Sequence, residues 1–264
     1  MKIVRIQTTG EPVWAAERDG GYVRVDWVDG VPQMTDSEVP AGPLLAPVTP
    51  PMIIGIGLNY RHHAAESGAK EPAYPIVFYK GLNSLVGPDA PIVLPRHLRS
   101  DKVDYECELA FVISRDAKNV AAPDALDYIL GFTAANDVSA RDWQIERGGS
   151  QWGRAKSFDT FCPVGPALVT IDELPDFADL RIATRVNGET LQDWRTNDLI
   201  FDIPALIEFL SGSTTIPAGT LVLTGTPHGV GMARKPPIWL QSDDVVEVEI
   251  EKIGVLRNPV VEEA

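Results

Sequence analysis

Cysteine is nearly absent. Cys107 and Cys162 are the only two among 264 residues, with no CxxC pair, which excludes a disulfide scaffold and a zinc or dithiol motif. Both are expected to be reduced core residues. Cations are also scarce: 23 Lys and Arg stand against 37 Asp and Glu, a formal net charge of -14. Such a field repels phosphate backbones and anionic lipid surfaces, so neither nucleic acid nor a membrane is an expected partner. A small anionic substrate would need a metal ion or a few placed Lys and Arg to overcome it. Long apolar runs are missing too. The most apolar stretch, Met52 to Leu58, is too short to span a bilayer, and Met1 to Ile6 has no apolar leader core, so a soluble, cytoplasmic protein is expected. Gly55 and Gly57 begin a dinucleotide fingerprint, but Tyr60 stands where its third glycine belongs. The glycines of Thr224 to Gly231 have no P-loop lysine beside them. Nucleotide-binding readings are therefore rejected.

What is present is β-rich. Lys2 to Ile6 alternates as a strand, and Tyr22 to Val28 places Val23, Val25 and Trp27 on one face. Six prolines between Pro32 and Pro51 punctuate a segment without period. A small N-terminal β segment with its linker, residues 1–50, is thus set apart from a main domain over 51–264. Ile53 to Leu58, Ile76 to Lys80, Gly131 to Ala135, Leu180 to Val186 and Thr220 to Leu223 read as further strands. Asn187-Gly188 signals a hairpin. Asn59 is predicted to cap a short helix that Gly68 stops, Pro123 to Leu130 to be helical, and Asp202 to cap a helix over 203–210. Trp152 to Asp159 reads as a loop. Val246, Val248 and Ile250 alternate with Glu247, Glu249 and Glu251, a strand with an acidic, solvated face. The class is mixed α/β and β-rich.

One stretch carries chemistry. Asp104-Tyr105-Glu106-Cys107-Glu108 runs into the apolar Leu109 to Ile113. Alternation along a strand points Glu106 and Glu108 to one face and Cys107 to the other. Adjacent carboxylates repel unless a cation sits between them, and a hard divalent ion is the natural one; a solvated edge strand is the bland alternative. Asn136 to Asp142 delivers several polar groups at a strand end. His63 and Glu66 stand three apart and so share a helix face, where a plain surface pair is the alternative.

Taken together, Asn59-Tyr60-Arg61-His62-His63-Ala64-Ala65-Glu66, Phe78-Tyr79-Lys80, Asp104 to Leu109, Asn136 to Asp142, Ala155-Lys156-Ser157-Phe158-Asp159 and Leu223 to Gly231 resemble the fumarylacetoacetate hydrolase family, from about residue 52 onward. The resemblance implies a β-sandwich roll, or mixed β-barrel, acting as a homodimer. It also implies one Mg²⁺ or Mn²⁺ held by Glu106, Glu108 and Asp137, with Cys107 where the family usually has glycine. His63 oriented by Glu66 would be the general base, a role that suits an imidazole near neutral pH. Lys156 would stabilise developing negative charge. Lys80, Arg141, Gln144 and Thr226 would contact substrate, although a structural ion pair is the alternative for Lys80 and Arg141. The expected reaction is metal-dependent hydrolysis of a carbon–carbon bond in an acylpyruvate, a small anionic 2-oxo acid. The alternatives are oxaloacetate decarboxylation, isomerisation or decarboxylation of a 2-hydroxyhepta-2,4-dienedioate, and ureidoglycolate cleavage.

Overall fold

A computed structural model describes residues 1–149 and 151–264. Two open sheets face each other. The larger runs Val31–Val39, Gly21–Val28, Val13–Arg18, Lys2–Ile6, Cys162–Thr170, Ile129–Asn136, Cys107–Ile113, Leu221–Leu223, Ile53–Gly57 and Ile76–Lys80. The smaller runs Glu189–Arg195, Arg181–Val186, Val245–Ile250, Gly254–Glu262 and Ile92–Leu94. Neither closes on itself, so the arrangement is a roll of packed sheets rather than a barrel. The core between them is built from Leu109, Phe111 and Phe132 of the large sheet against Ile182, Val248, Ile250 and Leu256 of the small one. The described residues also hold three short α-helices, α1 (Arg61–Glu66), α2 (Trp152–Lys156) and α3 (Ile203–Ser211), besides a two-stranded ladder and short 3₁₀ and π turns.

Most predicted strands form where the pattern places them, and the Asn187-Gly188 turn joins Arg181–Val186 to Glu189–Arg195. Asp202 caps α3 by accepting from Ala205 N at 2.9 Å. Several expectations change. Val31–Val39 is a strand, not linker; it is an exposed edge with no buried side chain, so no apolar alternation marks it. The N-terminal unit is continuous with the main sheet, because Lys2–Ile6 pairs antiparallel with Cys162–Thr170. Ala122–Tyr128 winds as a 3₁₀ turn, and Ile129 and Leu130 belong to the next strand. Trp152–Lys156, read as loop, is a helical turn. The acidic face of Val245–Ile250 is not simply solvated either: Glu249 lies 2.5 Å from Arg185 on the neighbouring strand.

Cys107–Ile113 is buried along its whole length, which explains its near-continuous apolar run. Its antiparallel pairing sets Cys107 opposite Asn136. The start of one strand and the end of the next therefore meet at one edge, and Glu106 and Asp137 arrive there together. The chain after Leu221–Leu223 and after Ile53–Gly57, two parallel strands, supplies Thr226 and α1 to the same region.

Candidate active site

Glu106, Glu108 and Asp137 each offer a carboxylate oxygen, and these oxygens lie within 4.8 Å of one another. All three residues are buried. Three buried acids are untenable alone, and cations surround them. Lys156 Nζ donates to Glu106 Oε2 at 2.7 Å and to Asp137 Oδ2 at 2.6 Å. Lys80 Nζ donates to Asp137 Oδ1 at 2.5 Å. Arg141 Nη2 lies 2.6 Å from Glu106 Oε1, an ion pair without the alignment of a hydrogen bond. Glu108 has no such cation; its Oε2 accepts from Gly225 N at 2.6 Å.

The electrostatics follow. Burial pushes the Glu106 carboxyl up, but Lys156 and Arg141 outweigh it and hold the group below the usual range. Burial, then Asp137 and Glu106, raise Glu108 well above its ordinary value. Burial would depress the Lys156 ammonium, yet Asp137 and Glu106 lift it above normal, so it stays charged. Cys107 faces away from the triad, and burial pushes its thiol up to about 12. The residues fit a divalent cation: three hard carboxylate oxygens from opposing strand ends lie close together, and their acids already draw two lysines and an arginine inward.

Arg141 lines the pocket, and two of its nitrogens are held by the protein. Its Nε donates to Asp104 Oδ2 at 2.8 Å and its Nη1 to Gln144 Oε1 at 2.9 Å. Because Arg141 can only donate, the Gln144 amide oxygen must face it, which leaves the NH₂ group for the pocket. Lys80 is buried against Asp137 and, unlike Arg141, does not line the pocket. Thr226 does, with its hydroxyl accepting from Gln192 Nε2 at 2.9 Å.

His63 lines the same pocket, a cavity of about 160 Å³ that also includes Phe78, Ile145, Trp152 and Met232. Its Nδ1 is 3.4 Å from Glu66 Oε2, so the other ring nitrogen is free for chemistry. Glu66 in turn accepts from Gly229 N at 3.0 and 3.1 Å. Sequence reasoning thus brought His63, Glu66, Lys156, Glu106, Glu108, Asp137, Gln144 and Thr226 to one place. It gave no role to Asp104, whose buried carboxylate accepts from Gly231 N and Met232 N as well as Arg141. It also missed the purpose of Gly55 and Gly57. A Cβ on Gly55 would stand 2.2 Å from the Phe78 ring, and one on Gly57 would stand 2.1 Å from the Trp152 ring. The two glycines are seats for the aromatic rings of the pocket wall, a role that only contacts between distant segments reveal. Of residues 143–154, Gln144, Ile145 and Trp152 line the pocket, and residue 150 lies outside the described residues. No helix among the described residues is long and apolar enough to cross a membrane.

A β-roll here carries a buried carboxylate triad that could hold a metal ion, with a lysine across it and a histidine–glutamate pair on a short helix. The family model described as fumarylacetoacetate (FAA) hydrolase C-terminal matches residues 52–261, and the chain belongs to this family. It is 50% identical over 219 residues to a Xenopus laevis protein named oxaloacetate tautomerase fahd2, mitochondrial, covering 83% of this chain and 68% of that one. Among solved structures it resembles 5-carboxymethyl-2-hydroxymuconate delta-isomerase from Mycobacterium smegmatis, with a TM-score of 0.87, 39% identity and 100% of both chains covered. It also resembles 2-hydroxyhepta-2,4-diene-1,7-dioate isomerase from Mycobacterium marinum, with a TM-score of 0.86, 39% identity, and 100% and 99% of the two chains covered.

Proposed function

We propose that this protein is an enzyme that interconverts the keto and enol forms of a small dicarboxylic 2-oxo acid of the oxaloacetate type. The observation that carries the reading is the placement of a single histidine, His63, in a small pocket with Lys156 and the Glu106/Glu108/Asp137 triad. One base facing a lysine ammonium and a site for a divalent cation is what enolisation needs. Hydrolysis of a carbon–carbon bond would turn the same base on a water molecule. The names of the relatives favour enolisation.

Glu106, Glu108 and Asp137 would hold one Mg²⁺ or Mn²⁺. When bound, such an ion supplies Lewis acidity toward the carboxylate and keto oxygens of the substrate. The chain does the rest. His63 removes a proton from the carbon beside the keto group, and the electron pair of that C–H bond moves toward the keto oxygen. Glu66 holds Nδ1 and favours the imidazolium so formed. Lys156 stays protonated and offsets the negative charge that develops on the oxygen. The imidazolium then returns its proton to oxygen or to carbon, which gives the two directions of one reaction. The NH₂ of Gln144 and the hydroxyl of Thr226 orient the far carboxylate, and Phe78 and Trp152 exclude water.

We extend the proposal to a homodimer. Its support is the exposure of Tyr79 and Ile145, 55% and 59% respectively, on the two elements packed against α2; sedimentation tests it. The cytoplasmic location expected from the sequence stands as a proposal beside the mitochondrial name of the Xenopus relative, and cell fractionation decides it.

The test follows the ultraviolet absorbance of enol-oxaloacetate with Mg²⁺ or Mn²⁺, then with EDTA, while a coupled assay watches for pyruvate. Metal-dependent acceleration of the enol–keto change without pyruvate is the expected result, and His63→Ala should lower it about 10²–10⁴-fold. Pyruvate released from acetylpyruvate would restore carbon–carbon hydrolysis in its place, and pyruvate from oxaloacetate would restore decarboxylation.

A further inference from the structure

The helix that carries the proposed base should not stand unaided. Helix α1 has six residues, and Tyr60 at its N-cap makes no side-chain hydrogen bond. No acidic residue occupies its first turn, and His63 and Ala64 are its only buried residues. Isolated helices of this length do not form in water. Asn59, predicted to cap it, is turned elsewhere: its amide nitrogen donates to Phe201 O and Thr224 O, and its oxygen accepts from Phe201 N.

The missing cap comes from 136 residues further along the chain. Asp198 Oδ2 accepts from His62 N at 3.0 Å, and Asp198 Oδ1 lies 2.9 Å from His62 Nδ1. One carboxylate thereby takes a backbone donor of the first turn and the side chain of the same residue. Asp198 is buried, at 8% exposure, so water does not compete freely for it. The chain around it is tied down by the Tyr60–Leu199 bridge and by Ile200 N donating to Asn59 O at 2.8 Å. At the other end of α1, Gly229 N holds Glu66. His63 sits between these two anchors.

We infer that Asp198 caps α1 in trans and is a positioning residue for the reaction, fixing His63 through its chain neighbour without touching substrate. The kinetic half of this inference rests on the proposed activity; the exchange half does not.

The experiment compares the metal-loaded wild type with Asp198→Ala and Asp198→Asn. Asparagine keeps an acceptor for His62 N, and its NH₂ can donate to the other tautomer of the His62 ring. Amide hydrogen exchange over residues 61–66 should quicken at least tenfold in Asp198→Ala while the Cys107–Ile113 strand is unchanged. Asp198→Asn should stay within threefold of the wild type. Enolisation by Asp198→Ala should lose at least tenfold in kcat with KM within twofold. Unchanged exchange in α1, an equal rise in the central strand, an Asn variant as damaged as the Ala variant, or a loss confined to KM each overturns the inference. If the wild type turns over no 2-oxo acid, the proposed activity falls, and the exchange data still decide the cap.

Discussion

Replacing Lys156 by methionine keeps the length of the side chain and deletes only its ammonium. In the wild type that group bonds Glu106 at 2.7 Å and Asp137 at 2.6 Å, all three residues being buried. Removing one partner of a buried ion pair costs about 3–5 kcal/mol, because the other is left charged and unpaired. Here the low end applies, since Lys80 remains on Asp137 and Arg141 on Glu106. A loss of about 3 kcal/mol corresponds to a fall in Tm of about 6–12 °C for a chain of this size. The assay is thermal unfolding in EDTA and again in saturating Mg²⁺. A divalent cation held by the same oxygens replaces the missing charge, so the Tm difference between variant and wild type should shrink to less than half when Mg²⁺ is present. A variant that melts within about 2 °C of the wild type in EDTA would refute the claim that Lys156 neutralises the triad. A gap that Mg²⁺ leaves untouched would refute the triad as the metal site.

Gly57→Ala pushes a methyl group to 2.1 Å from the Trp152 ring and should cost about 1–3 kcal/mol, read as a lower Tm together with a raised KM as the pocket wall shifts. Glu66 is pushed up by burial but held below the ordinary carboxylate range by His63 and Gly229 N; a depressed folded pKa stabilises above the unfolded value, about 4.3, and the benefit fades as pH falls through the folded one. The Tm advantage of wild type over Glu66→Gln should accordingly be present at neutral pH and vanish in acid, and an advantage independent of pH would contradict the hydrogen-bonding scheme. Cys107 and Cys162, with thiols pushed up to about 12 by burial, should resist iodoacetamide at pH 8 in the folded protein and react fully in denaturant, as mass spectrometry can count.

Much of the site was legible because its residues stand in local patterns with a fixed geometric meaning. Glu106 and Glu108 converge because alternate residues of an extended chain share a face, and His63 reaches Glu66 because one helical turn separates them. Strands with one or both faces buried announced themselves through apolar period. Val31–Val39 did not, since an exposed edge strand buries nothing that would impose a pattern. Asn59 was misread for a related reason: an Asn before a helix is a good cap on average, but here its amide is claimed by Phe201 and Thr224.

The sequence by itself determined the β-rich class, the acidic metal-site motif, the pairing of His63 with Glu66 and the family. Each of these depends on residues close together in the chain, where backbone periodicity alone dictates which side chains meet. Only the tertiary structure decided that Lys156 spans Glu106 and Asp137, that Arg141 and Lys80 serve the protein's own carboxylates, that Gly55 and Gly57 seat aromatic rings, and that Asp198 caps α1. Those contacts join segments roughly twenty to more than a hundred residues apart. They come about through strand order and sheet packing, which no local spacing encodes, because burial and hydrogen bonding reward whichever distant group arrives with the right charge.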